Sequence, residues 1–154
     1  VKIGILKETR AGEARVAVNP AIAGEWVKRG FEVWVESGAG LASAYNDETY
    51  AAAGAKTAPR ADVMAQADVL MQINVPDEAT LQQIPQGKHW VSILYHRSRP
   101  EVIAALNAKG CSAWSLDAIP RISRAQSMDV LSSQSNLAGY RAVILGSHHM
   151  KKVF

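Results

Sequence analysis

Short apolar runs alternate along the chain with longer stretches in which apolar residues return every three or four positions. Residues 2–6 form an apolar run that predicts a first strand. Asn19-Pro20 then opens a helix. Asn accepts from the free amides of a first turn, and Pro has no amide to leave unpaired there. Ile22, Trp26 and Val27 recur at helical spacing, and Gly30 closes the helix. Residues 31–35 alternate as a strand should, and 47–53 form a short helix closed by Gly54. The theme then repeats, with a helix over 60–67, a strand over 69–73 and a helix over 77–84. Residues 89–95 are apolar almost throughout, which predicts a strand buried on both faces. Arg99-Pro100 opens a helix through Ala108 that Gly110 ends, and 111–116 form the last strand. Strand-like runs interleaved with helix-like runs predict βαβ units, right-handed crossovers and a mostly parallel sheet flanked by helices. The expected class is α/β, in a single domain, with no internal repeat or linker.

Composition narrows the function classes. A chain of 154 residues has room for one ordinary domain. With 48% hydrophobic and 20% charged residues it can bury a core. Its 11 Gly, 6 Pro and single Cys111 exclude a collagen-like, disordered or disulfide-stapled chain. One cysteine forms no internal bridge, which fits a reducing compartment. The net charge of +3 is small and interspersed, which argues against nucleic acid as a partner. No run approaches the ~18–20 apolar residues of a membrane span, so a membrane role is expected to be peripheral. The opening residues lack a secretory signal pattern. The start without Met and the abrupt end of a helix-like pattern lead to the expectation of a fragment.

The most unusual segment runs from Ile119 to Asn136, between the last strand and a final helix. It offers Arg121, Arg124, Gln126, Asp129 and a row of hydroxyls after Pro120. In an open parallel sheet such a loop lies beyond the carboxyl ends of the strands, where ligands bind. Its mixed donors and acceptors suit an amide, ribose hydroxyls and phosphates, and equally suit a solvated loop with a helix cap. Gly38-Ala39-Gly40 begins like a dinucleotide fingerprint, but Ser43 stands at the third position and the next helix starts only near Asp47, so a tight turn is expected. Arg15, in the polar loop after the first strand, either meets an anion or pairs with Glu13 or a neighbouring acid. His96 and the adjacent His148 and His149 are expected at the surface, with no metal site. No Walker A loop, CxxC pair or serine nucleophile elbow is present.

The stretch Pro120-Arg121-Ile122-Ser123-Arg124-Ala125-Gln126-Ser127-Met128-Asp129-Val130-Leu131-Ser132-Ser133, running into Asn136-Leu137-Ala138-Gly139-Tyr140-Arg141-Ala142-Val143-Ile144, resembles a family signature. The family is the NAD(H)-binding component of proton-translocating NAD(P) transhydrogenase, the N-terminal part of its alpha subunit. Ile3-Gly4-Ile5-Leu6-Lys7-Glu8, Glu13-Ala14-Arg15-Val16-Ala17 and Glu36-Ser37-Gly38-Ala39-Gly40 are similar also to alanine dehydrogenases and lysine-forming saccharopine enzymes. The resemblance covers residues 1–144 and implies a flavodoxin-like or Rossmann-like sheet. It implies NAD(H) as cofactor, with NADP(H) on a partner component, and a catalytic set of Arg121, Gln126 and Asp129. By the same resemblance Asp129 and Ser132 bond the nicotinamide carboxamide. Arg121 steadies the carboxamide or pyrophosphate side, and Gln126 reaches the ribose of the partner nucleotide. The implied partners are the NADP(H)-binding component and a membrane-embedded proton channel, with a homodimer in the full-length protein. The implied location is cytoplasmic, peripheral to the inner or plasma membrane.

Family members carry a second, Gly-rich dinucleotide domain that these residues do not supply. Residues 145–154 depart from the family continuation and are expected to be a divergent or truncated tail, with the chain alone inactive. Two alternatives remain. One is a non-catalytic remnant or interaction domain. The other is a keto-acid oxidoreductase domain of the alanine dehydrogenase kind. That family uses a Lys in the fourth strand and a His after the fifth. The matching positions here are Gln72 and Tyr95, with His96 one place along, and only Arg15 matches.

Overall fold

The computed structural model describes residues 1–150. Contacts divide the chain into two compact units, Val1–Ser115 and a second that begins at Leu116.

The first unit holds six strands and five helices. In chain order they are β1 (Lys2–Ile5), α1 (Pro20–Lys28), β2 (Glu32–Glu36), α2 (Asp47–Ala52), β3 (Lys56–Ala58), α3 (Arg60–Gln66), β4 (Val69–Met71), α4 (Glu78–Gln83), β5 (His89–Ser92), α5 (Pro100–Ala108) and β6 (Ser112–Ser115). All pairings are parallel, in the order β3-β2-β1-β4-β5-β6. That is the doubly wound Rossmann-like order and not the flavodoxin one. The order reverses between β1 and β4, so the loops after these strands diverge and leave a crevice at the carboxyl edge.

Alternation along each strand sends successive side chains to opposite faces, and each face has its own core. Ile5, Val33 and Val35 pack with Ala23 of α1 and Tyr50 of α2. Leu6, Leu70 and Trp90 pack on the other side with Val63 and Met64 of α3 and Val102 and Leu106 of α5. The Tyr50 hydroxyl is paired within its core, donating to the Val18 carbonyl at 2.8 Å, and burial pushes its pKa up to about 12.

The helix signals act as expected. Asn19 Oδ1 accepts from the Ile22 amide, and Gly30 follows the end of α1 at φ 88°. Differences lie at β3 and at the ends of β4 and β5. β3 is a strand that the pattern does not announce, because Lys-Thr-Ala presents no apolar alternation. β4 and β5 stop at Met71 and Ser92, short of the expected 73 and 95. Beyond β5 the chain turns at Tyr95, at φ 49°, whose carbonyl accepts from the Ser98 and Arg99 amides.

The second unit contains a 3-10 turn at Ser123–Met128 and the helix α6 (Val130–His149). The expected loop through Asn136 is therefore shorter. Asp129 caps the helix, so Ser132, Ser133, Gln134 and Asn136 are helical. Of the expected tail, residues 145–149 continue α6, and 151–154 lie outside the described residues. No helix among the described residues is long and apolar enough to cross a membrane.

Gly4 leaves β1 no room for a side chain against α3 and the residue that follows it. A Cβ there would stand 2.7 Å from Ala67 Cβ and 3.0 Å from both Leu70 Cδ2 and Val63 Cγ1. Gly4→Ala is expected to destabilise the chain by about 1–3 kcal/mol, read as a lowered urea midpoint at unchanged m-value.

Candidate functional site

At the carboxyl edge of the first unit, the chain between β1 and α1 is held by polar ties. None of residues 7–15 is buried. Glu36, at the end of β2, accepts the Lys7 amide at 2.8 Å and Arg60 Nη1 at 2.8 Å. Arg60, the first residue of α3, also reaches the Lys7 carbonyl at 3.2 Å and Thr80 Oγ1 at 2.8 Å. Glu8 accepts from the main-chain amides of Ile73 and Asn74 at 2.6 and 3.1 Å. Asp77 accepts the Thr80 amide and so starts α4, and hydrogen bonds from Thr80 hold its pKa below the usual carboxylate range.

Arg15 takes the second of its two expected roles, pairing with Glu13. Its Nε and Nη2 lie 2.8 and 2.7 Å from the two Glu13 oxygens. The bidentate grip of Arg15 lowers the Glu13 pKa to about 2, with help from Asn74. Beside these ties lies a hollow of about 440 Å³ that Thr9, Arg10, Asn74, Asp77, Tyr95 and Arg99 help to line. Asn74 went unnoticed in the sequence, and its signal was only its place, just after a strand and before Pro76.

The other edge residues are less suited to chemistry. Gly38 sits in a turn at φ 74°, and its amide donates to Asp47 Oδ1 at 2.8 Å, so the glycine pair serves the turn and not a phosphate. Gln72 is 2% exposed and donates Nε2 to the Lys7 carbonyl at 2.7 Å. Its Oε1 is buried without a hydrogen bond, as is His96 Nδ1. His96 is half-buried, contrary to the surface position expected from its arginine neighbours, because the turn at Tyr95 folds it back. His148 and His149 are exposed at the end of α6. Among the described residues no group of three or more His, Cys, Asp or Glu is placed to hold a metal ion.

The second unit brings the four signature residues together. Arg121, Gln126, Asp129 and Ser132 line one open hollow of about 280 Å³, with Pro120 and Ile122 beside them. Asp129 organises it. One carboxylate oxygen accepts the amides of Leu131 and Ser132 at 3.0 and 3.2 Å, and the other accepts the Ser132 hydroxyl at 2.7 Å. These bonds, the Ser132 hydroxyl first, hold the Asp129 pKa below the usual carboxylate range. Ser132 Oγ, having donated, keeps its lone pairs for an incoming N–H. Arg121, Gln126 and Ser132 are exposed, and Asp129 is half-buried.

Comparison with known proteins concerns the chain as a whole. The family described as "Alanine dehydrogenase/PNT, N-terminal domain" matches residues 4–138. The NAD(P) transhydrogenase subunit alpha of Haemophilus influenzae is 38% identical over 152 residues, covering 99% of this chain and 30% of its own length. The solved transhydrogenase structure from Sinorhizobium meliloti superposes with a TM-score of 0.92 at 37% identity, over 99% of this chain and 46% of that one. An alanine dehydrogenase of Mycobacterium tuberculosis is 31% identical over 153 residues, covering 99% of this chain and 41% of its own length. The chain thus spans less than half the length of these relatives.

The Glu13–Arg15 pair has a pH signature. A carboxylate whose folded pKa is depressed adds stability above its ordinary pKa, and that stability fades as pH falls through the folded value. The Glu13 contribution is therefore complete above pH 4.5 and lost toward about 2. Urea midpoints of the chain and of Glu13→Gln are expected to differ most at neutral pH and to converge across this window.

Proposed function

We propose that this chain, which belongs to the alanine dehydrogenase/PNT N-terminal domain family, is the N-terminal part of the NAD(H)-binding component of a proton-translocating NAD(P) transhydrogenase. The observation that carries the reading is the gathering of Arg121, Gln126, Asp129 and Ser132 around one hollow. A nicotinamide carboxamide has two N–H donors and one carbonyl acceptor. Asp129 and Ser132 offer acceptors, and Arg121 and Gln126 offer donors, so the donor set fits the group. When bound, the nicotinamide supplies or takes up the hydride.

The chain's own residues bind and orient. Asp129 is locked by Leu131 and Ser132 before any ligand arrives, so it has little reorganisation to undergo on binding. Ser132 adds a second acceptor and fixes which face of the ring is offered. Arg121 steadies the carboxamide or the pyrophosphate, and Gln126 reaches toward the ribose of the partner's nucleotide. None of these groups has to move a proton, because hydride transfer asks for orientation and exclusion of water. Exclusion is what this unit lacks, since three of the four side chains are exposed. In this reading the cover comes from the remaining length of the longer protein and from the NADP(H)-binding component, and the chain alone is inactive. Association with a membrane-embedded proton channel, homodimerisation and a place on the cytoplasmic face of the membrane belong to the same proposal.

The alanine dehydrogenase reading has less support. Gln72 carries no charge for a keto acid and has given its amide to the Lys7 carbonyl. A non-catalytic remnant would keep the fold but need no ligand at Asp129.

A titration of the chain with NADH, followed by amide NMR, separates these readings. Shifts are expected to concentrate at Arg121, Gln126, Asp129 and Ser132, with a Kd weaker than about 1 mM. Asp129→Asn should abolish them while keeping α6, because Asn caps a helix as well as Asp. Shifts confined to other residues would contradict the site. Micromolar binding would contradict its incompleteness.

A further inference from the structure

Three side chains of the segment between β1 and α1 converge on one side chain after β4. The Asn74 amide nitrogen lies 2.9 Å from Glu8 Oε2 and 2.8 Å from Glu13 Oε2, so each of its two hydrogens goes to a different carboxylate. Its oxygen faces Arg10 Nη1 at 3.5 Å. A flipped amide would set its oxygen against both carboxylates, so charge fixes the orientation. Glu13 passes the constraint on. Its two oxygens grip Arg15 Nε and Nη2, and Oε1 accepts the Arg15 main-chain amide at 2.9 Å. The Glu13 side chain is 9% exposed and that of Arg15 is 46% exposed. Support therefore runs outward, from Asn74 to Glu13 and from Glu13 to Arg15.

We propose that Asn74 is a positioning residue for Arg15: acting through Glu13, it sets the direction in which the guanidinium is presented at the carboxyl edge of the first unit. The residue type follows from the geometry. Only a neutral group with two donors spans two carboxylates without adding charge. Asp would bring a third carboxylate and no donor, and Leu would leave two acceptors unpaired. The charged and titratable groups around the pair are Glu8, which shares Asn74 with Glu13 and acts on Arg15, Arg10, which meets Asn74, Lys7, which lines a hollow with Glu13 and Arg15, and Tyr95 after β5, which acts on Arg15. The inference concerns the first unit, so it stands or falls apart from the nucleotide reading of the second.

NMR on the whole chain tests it. In the unaltered protein both Asn74 side-chain amide protons are expected to exchange slowly, and ordinary exchange of either would overturn the proposal without any variant. In Asn74→Ala the Arg15 Nε–H should exchange about tenfold faster. The Glu13 carboxyl titration should move up toward the ordinary range while the β-strand amide signals stay in place. Asn74→Asp should do the same. Ser43→Ala cuts a different tie on the segment, the 2.6 Å bond to the Ala14 carbonyl, and should leave both readouts unchanged. Arg15 exchange and Glu13 titration that persist in the Asn74 variants, or that change equally in Ser43→Ala, would overturn it.

Discussion

Every strand of the sheet runs the same way, so all the strand ends gather at two edges with main-chain amides and carbonyls left over. Strands of three to five residues leave much of the chain in connections, and those at the carboxyl edge are anchored at a few apolar points such as Val18, Ala39 and Leu94 with polar stretches between them. Carboxylates and amides take over. Glu36 holds the Lys7 amide, Glu8 holds those of Ile73 and Asn74, and Asp77 holds that of Thr80. Arg60 ties three of these elements together from the start of α3. The crevice between β1 and β4, where a doubly wound sheet usually receives a ligand, is thus bridged by the protein's own side chains.

The same chemistry recurs in the second unit with a different outcome. Asp129 also accepts main-chain amides, but the group it holds is the start of α6, and the hollow beside it stays open. One carboxylate shapes the helix, places Ser132 and borders the open hollow. The helix it starts has a single Lys, Arg, Asp or Glu along its length, Arg141, and exposes Leu137, Tyr140 and Val143. A helix of that surface is suited to cover by further protein. This agrees with a chain that spans less than half of its relatives.

Much of this was legible from residues alone, for physical reasons. Asn19-Pro20 and Gly30 bound α1 through local hydrogen bonding and backbone freedom, which need no tertiary partner. The buried strands announce themselves by apolar content. The signature from Pro120 to Ser133 is recognisable because its order of polar types is specific, and its four key residues do share one hollow. What escaped was non-local or polar. β3 owes its existence to pairing with β2 and not to its own side chains. Asp129 is a good cap by residue type, but the Ser, Gln and Asn between 132 and 136 weaken the helical pattern after it. Asn74 is an unremarkable amide until Glu8 and Glu13 fold onto it from more than sixty residues away. His96 changed from exposed to half-buried because of one left-handed residue before it.

At the centre stands the proposed nucleotide-orienting site around Asp129, which by the same proposal works only under the cover of further protein. The most direct measurement is hydride transfer between NADH and an NADP⁺ analogue in a full-length transhydrogenase alpha subunit that carries residues 1–144 of this chain in place of its own, assembled with its NADP(H)-binding component. A folded, active chimera that Asp129→Asn inactivates without unfolding is the expected result. A folded chimera with no transfer, or one indifferent to Asp129→Asn, would contradict the proposed site.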